Sequence, residues 1–288
     1  MTVLETIQRS ADFLEKKEVD SPRLQAELLL AHVLGMPRMK LYLNFERPLT
    51  EPETNALRDL LRRRARREPL QHILGTVNFC GLELAVDSRV LVPRPETELL
   101  AERAWKFLNS LQESGVNNPT ALDFGTGSGC LAIAMAAKCP VAVVHALDVS
   151  VEALEVARAN AQRCNVADRI HFHQGDGFAA LAKTEPAKFH LIASNPPYIP
   201  SAEIADLQPE VRDHDPRSAL DGGADGLDVF RHLASEAGAF LHPGGQLMAE
   251  FGDGQGPSLR TLFAEHGWTV QGVEPDDSGR ERFLVVEK

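Results

Sequence analysis

The residues best equipped for chemistry stand together at Asn195-Pro196-Pro197-Tyr198, directly after the apolar run Leu191–Ser194. Two consecutive prolines end any strand ladder, because neither has an N–H to donate and each holds φ near about −65°. The turn carries an amide side chain, a rigidly aimed Pro196 carbonyl and an aromatic ring. An amide or exocyclic amino nitrogen is a poor nucleophile because its lone pair is delocalised. Asn195 and the Pro196 carbonyl can accept its N–H hydrogens and stabilise the charge that develops on it, while the Tyr198 ring offers a face to a planar group. No charged base is needed before transfer, since the proton can leave afterwards. Positioning of this kind accounts for about 7–11 kcal/mol of barrier in the best intramolecular models. Such a set suits alkylation of a planar nitrogen. In isolation, N-P-P-Y is equally well read as a proline-rich turn with Asn as turn former, so its neighbours decide.

A second set precedes it. In "ALDFGTGSGCLAIA", Gly125, Gly127 and Gly129 separate a strand from a helix, which lets the backbone turn tightly and a ligand lie against it. The spacing is G-x-G-x-G, and Cys130 stands where the dinucleotide fingerprint would place its third glycine. That counts against NAD(P). About twenty residues on, the run "VVHALDVS" ends in Asp148, placed to accept hydrogen bonds from ribose hydroxyls. Asp176 and Gly177, in "GDGF", end a third strand where an adenine would rest. Together these predict a nucleoside cofactor without a pyrophosphate, for which S-adenosylmethionine fits.

These sets need a scaffold that brings strand ends together. Leu4, Ile7, Ala11 and Leu14 recur at helical spacing. Ser21-Pro22 predicts an N-cap and N1 proline for a second helix that stops at Gly35, and Thr50-Glu51-Pro52-Glu53 opens a third that Pro69 ends. Residues 1–70 thus read as a helical bundle. Residues 71–93, "HILGTVNFCGLELAV" with Gly75 and Gly81, read as a β-hairpin linker. From 94 to 288, strands and helices alternate: strands at Ala121–Phe124, Val141–Leu147, Ile170–His173, Phe189–Ser194 and Gln246–Phe251, and helices at Ser128–Lys138, Val151–Cys164, Leu227–Leu241 and Pro257–His266. Two closing strands flank a turn at Asp276–Gly279. Alternation predicts an open parallel sheet covered on both faces.

Composition narrows the partners. The 288 residues carry a net charge of −11, divided as +1 over residues 1–90 and −12 over the rest. A nucleic-acid enzyme needs cationic surface to meet phosphates. The one dense basic run, Arg62–Arg67, reads as the solvated face of a helix. No apolar run approaches the ~20 residues of a membrane span, and the first twenty residues lack signal-peptide character, so a cytoplasmic protein is expected. Cys80, Cys130, Cys139 and Cys164 form no C-x-x-C pair and read as reduced apolar residues. His171 and His173 share a strand face, with no third ligand to make a metal site.

The motifs "DFGTGSG", "ALDVS" and "SNPPYIP", with "VPRPETE" upstream and "ALDGGADGLDVF" downstream, resemble the release-factor glutamine methyltransferases, the HemK/PrmC family, over essentially the whole chain. The resemblance implies a Rossmann-like class I methyltransferase, with a seven-stranded, mostly parallel sheet whose last strand is antiparallel. It implies transfer from S-adenosyl-L-methionine to N5 of the Gln in the Gly-Gly-Gln motif of class 1 peptide-chain release factors, leaving S-adenosyl-L-homocysteine. On this chain Gly125, Thr126, Gly127, Ser128, Gly129 and Asp148 would hold the cofactor, with Asp176 and Gly177 at its adenine. Asn195 would touch cofactor and substrate, and Pro196, Pro197 and Tyr198 would cradle the glutamine amide. Some members carry an aromatic residue at the position of Gly177, and Phe178 is the expected substitute wall. The bundle is expected to recognise the protein substrate, with Arg62–Arg67 docking an acidic face. No metal, membrane or nucleic-acid partner is expected, and the chain is expected to act as a monomer. The rivals are a glutamine methyltransferase of a large-subunit ribosomal protein, which resembles P-R-S-P rather than Pro93–Glu98 upstream, a nucleic-acid amino-methyltransferase, and an inactive cofactor-binding adaptor. Gly244-Gly245-Gln246 matches the substrate motif but reads as a turn before a strand.

Overall fold

A computed structural model of the chain describes residues 1–182 and 188–288, in two compact units: residues 1–75 with 208–214, and residues 76–207 with 215–288. The first unit holds α1 (Val3–Glu15), α2 (Pro22–Val33), α3 (Arg38–Leu41), α4 (Glu51–Arg64) and α5 (Leu70–Leu74). Capping boxes open α1 at Thr2/Glu5 and α4 at Thr50/Glu53, each satisfying two orphan backbone donors. Ser21 departs from its expected role. Its φ of 47° places it in the left-handed region, and its side chain caps nothing. Ile7, Leu14, Leu29, Leu30, Leu41 and Leu57 close the core between these helices.

The basic run is not a uniformly solvated face. Arg64 is buried and shares Glu210 with Arg67, which grips that carboxylate through both Nε and Nη2 at 2.7 Å. Arg63 pairs with Glu68, while Arg62, paired with the exposed Asp59 at 3.2 Å, and Arg66 remain exposed. A planar guanidinium with five donors suits such bidentate pairing. The carboxylates that hold Arg63, Arg64 and Arg67 lie close by at Glu68 and far along the chain at Glu210, so composition alone cannot distinguish these arginines from the exposed ones.

The second unit begins with an antiparallel hairpin, β1 (Thr76–Phe79) and β2 (Leu82–Ala85), followed by α6 (Pro95–Glu113). Then come β3 (Thr120–Phe124), α7 (Cys130–Lys138), β4 (Val143–Asp148), α8 (Val151–Arg163), β5 (Ile170–Gln174) and β6 (Phe189–Ser194). After α9 (Pro209–Arg212), which falls with the first unit, follow α10 (Asp228–Glu236), β7 (Leu241–Glu250), α11 (Gly256–Glu265), β8 (Thr269–Pro275) and β9 (Glu281–Glu287). The sheet order is β5-β4-β3-β6-β7-β9-β8, with β9 antiparallel to both neighbours and the other strands running together. Apolar layers cover both faces: Leu100, Leu131, Ile133 and Met135 on one, Phe230, Leu233, Leu259 and Phe263 on the other.

The helix expected to run to Leu241 ends at Glu236 and continues as a short 3₁₀ turn, Ala237–Phe240. The turn expected at Pro243–Gly245 is a bulge inside β7, because Phe189 pairs with Leu241 and Leu191 pairs next with Gln246. Gln246 is thereby fixed in the sheet between Leu191 and Glu287.

Candidate functional site

Beyond the carboxyl ends of β3, β4, β5 and β6 lies a cavity of about 270 Å³. The reversal of strand order at β3/β6 makes this the switch point of the sheet, where the loops diverge and leave a crevice. Gly125, Thr126, Gly127 and Ser128 line it from the first loop, Asp148 from β4, and Asp176 with Gly177 from the end of β5. Asn195, Pro196 and Pro197 line it from the end of β6.

The first loop keeps its shape through glycines with positive φ, 76° at Gly125 and 54° at Gly127, and a Cβ at either would project into open space. Backbone is therefore bared toward the cavity. Gly129 is different: it lies outside the lining, and a Cβ there would meet Ile133 and Ala157 at 3.0 and 3.1 Å. Its role is close packing of α7 on α8. Asp148 stiffens the loop, its Oδ2 accepting the Gly127 N–H at 2.8 Å and its Oδ1 the Ser150 N–H at 2.9 Å. Asn160, fully buried on α8, binds the Ser128 carbonyl and both polar backbone groups of Ala85, tying the hairpin to the loop.

Asp123 was not singled out in the sequence, although it opens the glycine loop. It is buried on β3; its Oδ2 accepts the Thr126 hydroxyl at 2.6 Å and the Ala132 N–H at 3.0 Å, while Oδ1 lacks a partner. Burial raises its pKa to about 7. A buried, half-satisfied carboxylate facing this cavity suits a cationic amino group, which would restore its charge at neutral pH. The bared glycines, the strand-end acids and this orphan oxygen fit a nucleoside that carries an amino-acid arm, as S-adenosylmethionine does.

Phe178, the expected adenine wall, does not line the cavity. It is buried against Phe124 and Phe240, with centroids 4.9 Å away in each case. Gly177, at φ 65°, turns the chain so that the following ring drops into the core. The cavity is lined by other apolar side chains, Phe124, Leu147 and Val90 among them, with Val149 largely exposed at its edge.

Around Asn195 the structure adds two groups. The Asn195 Nδ2 donates to Thr97 Oγ1 at 3.1 Å, and the Thr97 hydroxyl donates to Glu250 Oε2 at 2.7 Å. Thr97 sits in the first turn of α6, opened by Pro95 at N1, and Glu250 ends β7. Tyr198 stands outside the cavity lining; its hydroxyl donates to Glu250 Oε1 at 3.4 Å and its carbonyl accepts from Gln255 at 2.9 Å. Burial, then the Glu250 charge, raises the Tyr198 pKa and keeps the phenol a donor. Arg94 pairs with the buried Asp215 at 2.9 Å, next to the cavity-lining Pro216 and Ser218. The available signal for Glu250 was a single carboxylate closing the apolar run Leu247–Ala249.

The His171/His173 face also carries a partner from β4. The rings of His145 and His173 stack 5.0 Å apart, with Nδ1 and Nε2 2.9 Å from one another. Among the described residues no His, Cys, Asp and Glu cluster forms a metal site, and no helix is long and apolar enough to cross a membrane.

Residues 5–75 match the family model "PrmC N-terminal domain" and residues 104–208 the model "Methyltransferase small domain". The release factor glutamine methyltransferase of Geobacter sulfurreducens is 41% identical over 283 residues, 98% of this chain and 95% of the relative. That of Chlorobaculum tepidum is 44% identical over 271 residues, 94% of this chain and 92% of the relative. Among solved structures, the N-terminal domain of human METTL16 in complex with SAH superposes with a TM-score of 0.50 at 15% identity, over 72% of this chain and 76% of that one. That likeness is one of fold.

Proposed function

Because the chain belongs to the family of release factor glutamine methyltransferases, we propose that it methylates N5 of the Gln in the Gly-Gly-Gln loop of a class 1 peptide-chain release factor. One observation carries the reading: the glycine loop, two strand-end acids and the Asn195–Pro197 turn open into a single cavity. When bound, S-adenosyl-L-methionine supplies an electrophilic methyl group and leaves as S-adenosyl-L-homocysteine. Gly125–Ser128 would hold it against bare backbone, Asp148 at the ribose, Asp176 and Gly177 at the adenine, and Asp123 at the amino group.

Asn195 and the Pro196 carbonyl accept the two N–H hydrogens of the glutamine amide. This turns the nitrogen lone pair toward the methyl group and stabilises positive charge as it forms. The prolines hold the acceptors still, so little reorganisation accompanies transfer. The proton leaves afterwards, when the alkylated nitrogen is strongly acidic. Tyr198 contributes by holding the turn against Glu250.

The bundle, residues 1–70, is assigned to recognition of the release factor, and the hairpin, 71–93, to linking it with the catalytic residues 94–288. The net charge of −11 supports a protein acceptor over nucleic acid. A monomer working in the cytoplasm fits that role. Incubation with labelled S-adenosyl-L-methionine and either a release factor or its Gln→Ala copy tests the proposal. Label on the first alone is expected. No label on either would move the acceptor to ribosomal protein or nucleic acid.

A further inference from the structure

An amide is useful as an acceptor only if its carbonyl, not its NH₂, faces the substrate. The two ends of Asn195 are nearly the same size, so packing does not choose between them. Hydrogen bonding can. The Thr97 hydroxyl has one hydrogen, and Glu250, when ionised, has none to give. That hydrogen therefore goes to the Glu250 carboxylate at 2.7 Å, leaving Thr97 Oγ1 as a pure acceptor facing Asn195. The group it receives, at 3.1 Å, is the Asn195 NH₂.

We propose that Thr97 and Glu250 are positioning residues that fix the Asn195 amide with its NH₂ toward α6 and its carbonyl toward the methyl-accepting nitrogen. The inference rests on the role given to Asn195 above. The same carboxylate also receives the Tyr198 hydroxyl, so both ends of the N-P-P-Y turn are referred to one buried anion. Positioning acts on chemistry: a reversed Asn195 would present two N–H donors to a substrate nitrogen that itself bears two. It also acts on specificity, since paired acceptors favour a carboxamide and repel a carboxylate.

Protonation of Glu250 reverses the relay. Glu250 then donates to Thr97, the Thr97 hydrogen turns to Asn195, and the amide rotates to receive it. The groups facing Glu250 are Thr97 and Glu96 on α6, Tyr198 on the turn, and Arg282 on β9, whose Nε lies 3.7 Å from Asp276. Burial dominates and raises the Glu250 pKa to about 7, so the reversal falls in an accessible range.

The test uses the intact enzyme, labelled S-adenosyl-L-methionine at saturation and a release factor, with cofactor affinity measured separately by calorimetry. Saturation removes any effect of Asp123 protonation on cofactor capture. In the parent, kcat should rise with pH to a plateau, with a midpoint near 7. Thr97→Val should lower kcat by about tenfold or more with cofactor affinity within about twofold, and Thr97→Ser should recover most of the loss. Glu250→Gln keeps an acceptor for Thr97 but cannot titrate, so its kcat should lose the acid limb. A parental kcat in Thr97→Val, a Thr97→Ser as impaired as Thr97→Val, or an unshifted acid limb in Glu250→Gln overturns the relay while leaving the methyltransferase reading intact. A parent that labels no release factor overturns that reading, and the relay with it.

Discussion

At the scale of single residues, the proposed assignment divides the cavity between groups that hold a cofactor and groups that hold an acceptor, and substitutions should separate the two. Asn195→Ala removes an acceptor that matters most as charge develops. It should lower kcat by about 10²–10³-fold while leaving the cofactor dissociation constant within a few-fold. Asp148→Ala removes the carboxylate that braces Gly127 and that we propose binds the ribose, so it should weaken cofactor binding far more than it lowers kcat at saturation. Single-turnover labelling and calorimetry distinguish these patterns, and equal effects on both parameters in both variants would defeat the division. Asp123 makes a thermodynamic prediction. Its pKa is raised to about 7 from an ordinary 3.8, so the folded state binds a proton the unfolded chain has already released. Stability from this group is therefore fully present below the ordinary carboxylate range and falls as pH rises toward 7. Asp123→Asn keeps an acceptor for Thr126 and Ala132 and removes that penalty. At pH 8 the ligand-free variant should melt higher than the parent, by about 2–4 °C per kcal/mol recovered, yet bind cofactor more weakly. A lower melting temperature at pH 8 would mean that Asp123 is stabilised as an anion.

At the scale of elements, the segment Leu220–Val229 deserves equal weight with the N-P-P-Y turn, because its glycines let two backbones touch. A Cβ at Gly226 would stand 2.3 Å from the Tyr198 carbonyl oxygen, and φ there is 77°. Gly226→Ala must both strain its own backbone and push the turn away. It should cost about 2–3 kcal/mol in urea unfolding and lower kcat more than cofactor affinity. Unchanged kcat would show that the turn tolerates displacement. This contact also marks where the sequence ceased to be legible. The strand-helix alternation and the strand ends were readable because periodicity and Gly/Pro punctuation are local. The places of the glycine loop, Asp148, Asp176 and Asn195 were readable for the same reason, since each lies at or just after the end of its own strand. Thr97 and Glu250 were not, because their roles exist only across 153 residues of sequence, where α6 meets the end of β7. Phe178 misled for a related reason: the local sequence shows an aromatic next to Gly177, and only tertiary packing against Phe240 reveals that it points into the core.

At the scale of the whole chain, charge is unevenly spread, +1 in the first 90 residues against −12 in the rest, so we propose the basic residues of the bundle as the docking face for an acidic partner. The run Arg62–Arg67 contains two kinds of arginine, and they should fail differently. Arg64 is buried with Glu210, and Glu210→Ala would leave that guanidinium without its carboxylate. Breaking one side of a buried pair typically costs about 3–5 kcal/mol, so the loss should appear as an earlier unfolding transition of the bundle. Burial pushes the Glu210 carboxyl up, but hydrogen bonds from Arg67 and Arg64 outweigh it and hold the net value below 4.5. This contribution is therefore complete above about pH 4.5 and lost as pH falls through the lowered value. Arg62 and Arg66 are exposed, and their charges act through solvent. Reversing both to Glu should leave stability within about 0.5 kcal/mol yet raise KM for the release factor several-fold at low salt. The effect should fade as ionic strength rises and the Debye length shrinks from about 30 Å at 0.01 M toward 8 Å at 0.15 M. An unchanged KM at low salt would place the docking face elsewhere on the bundle. A KM increase that persists at high salt would instead mean that these side chains make packed contacts rather than long-range electrostatic ones.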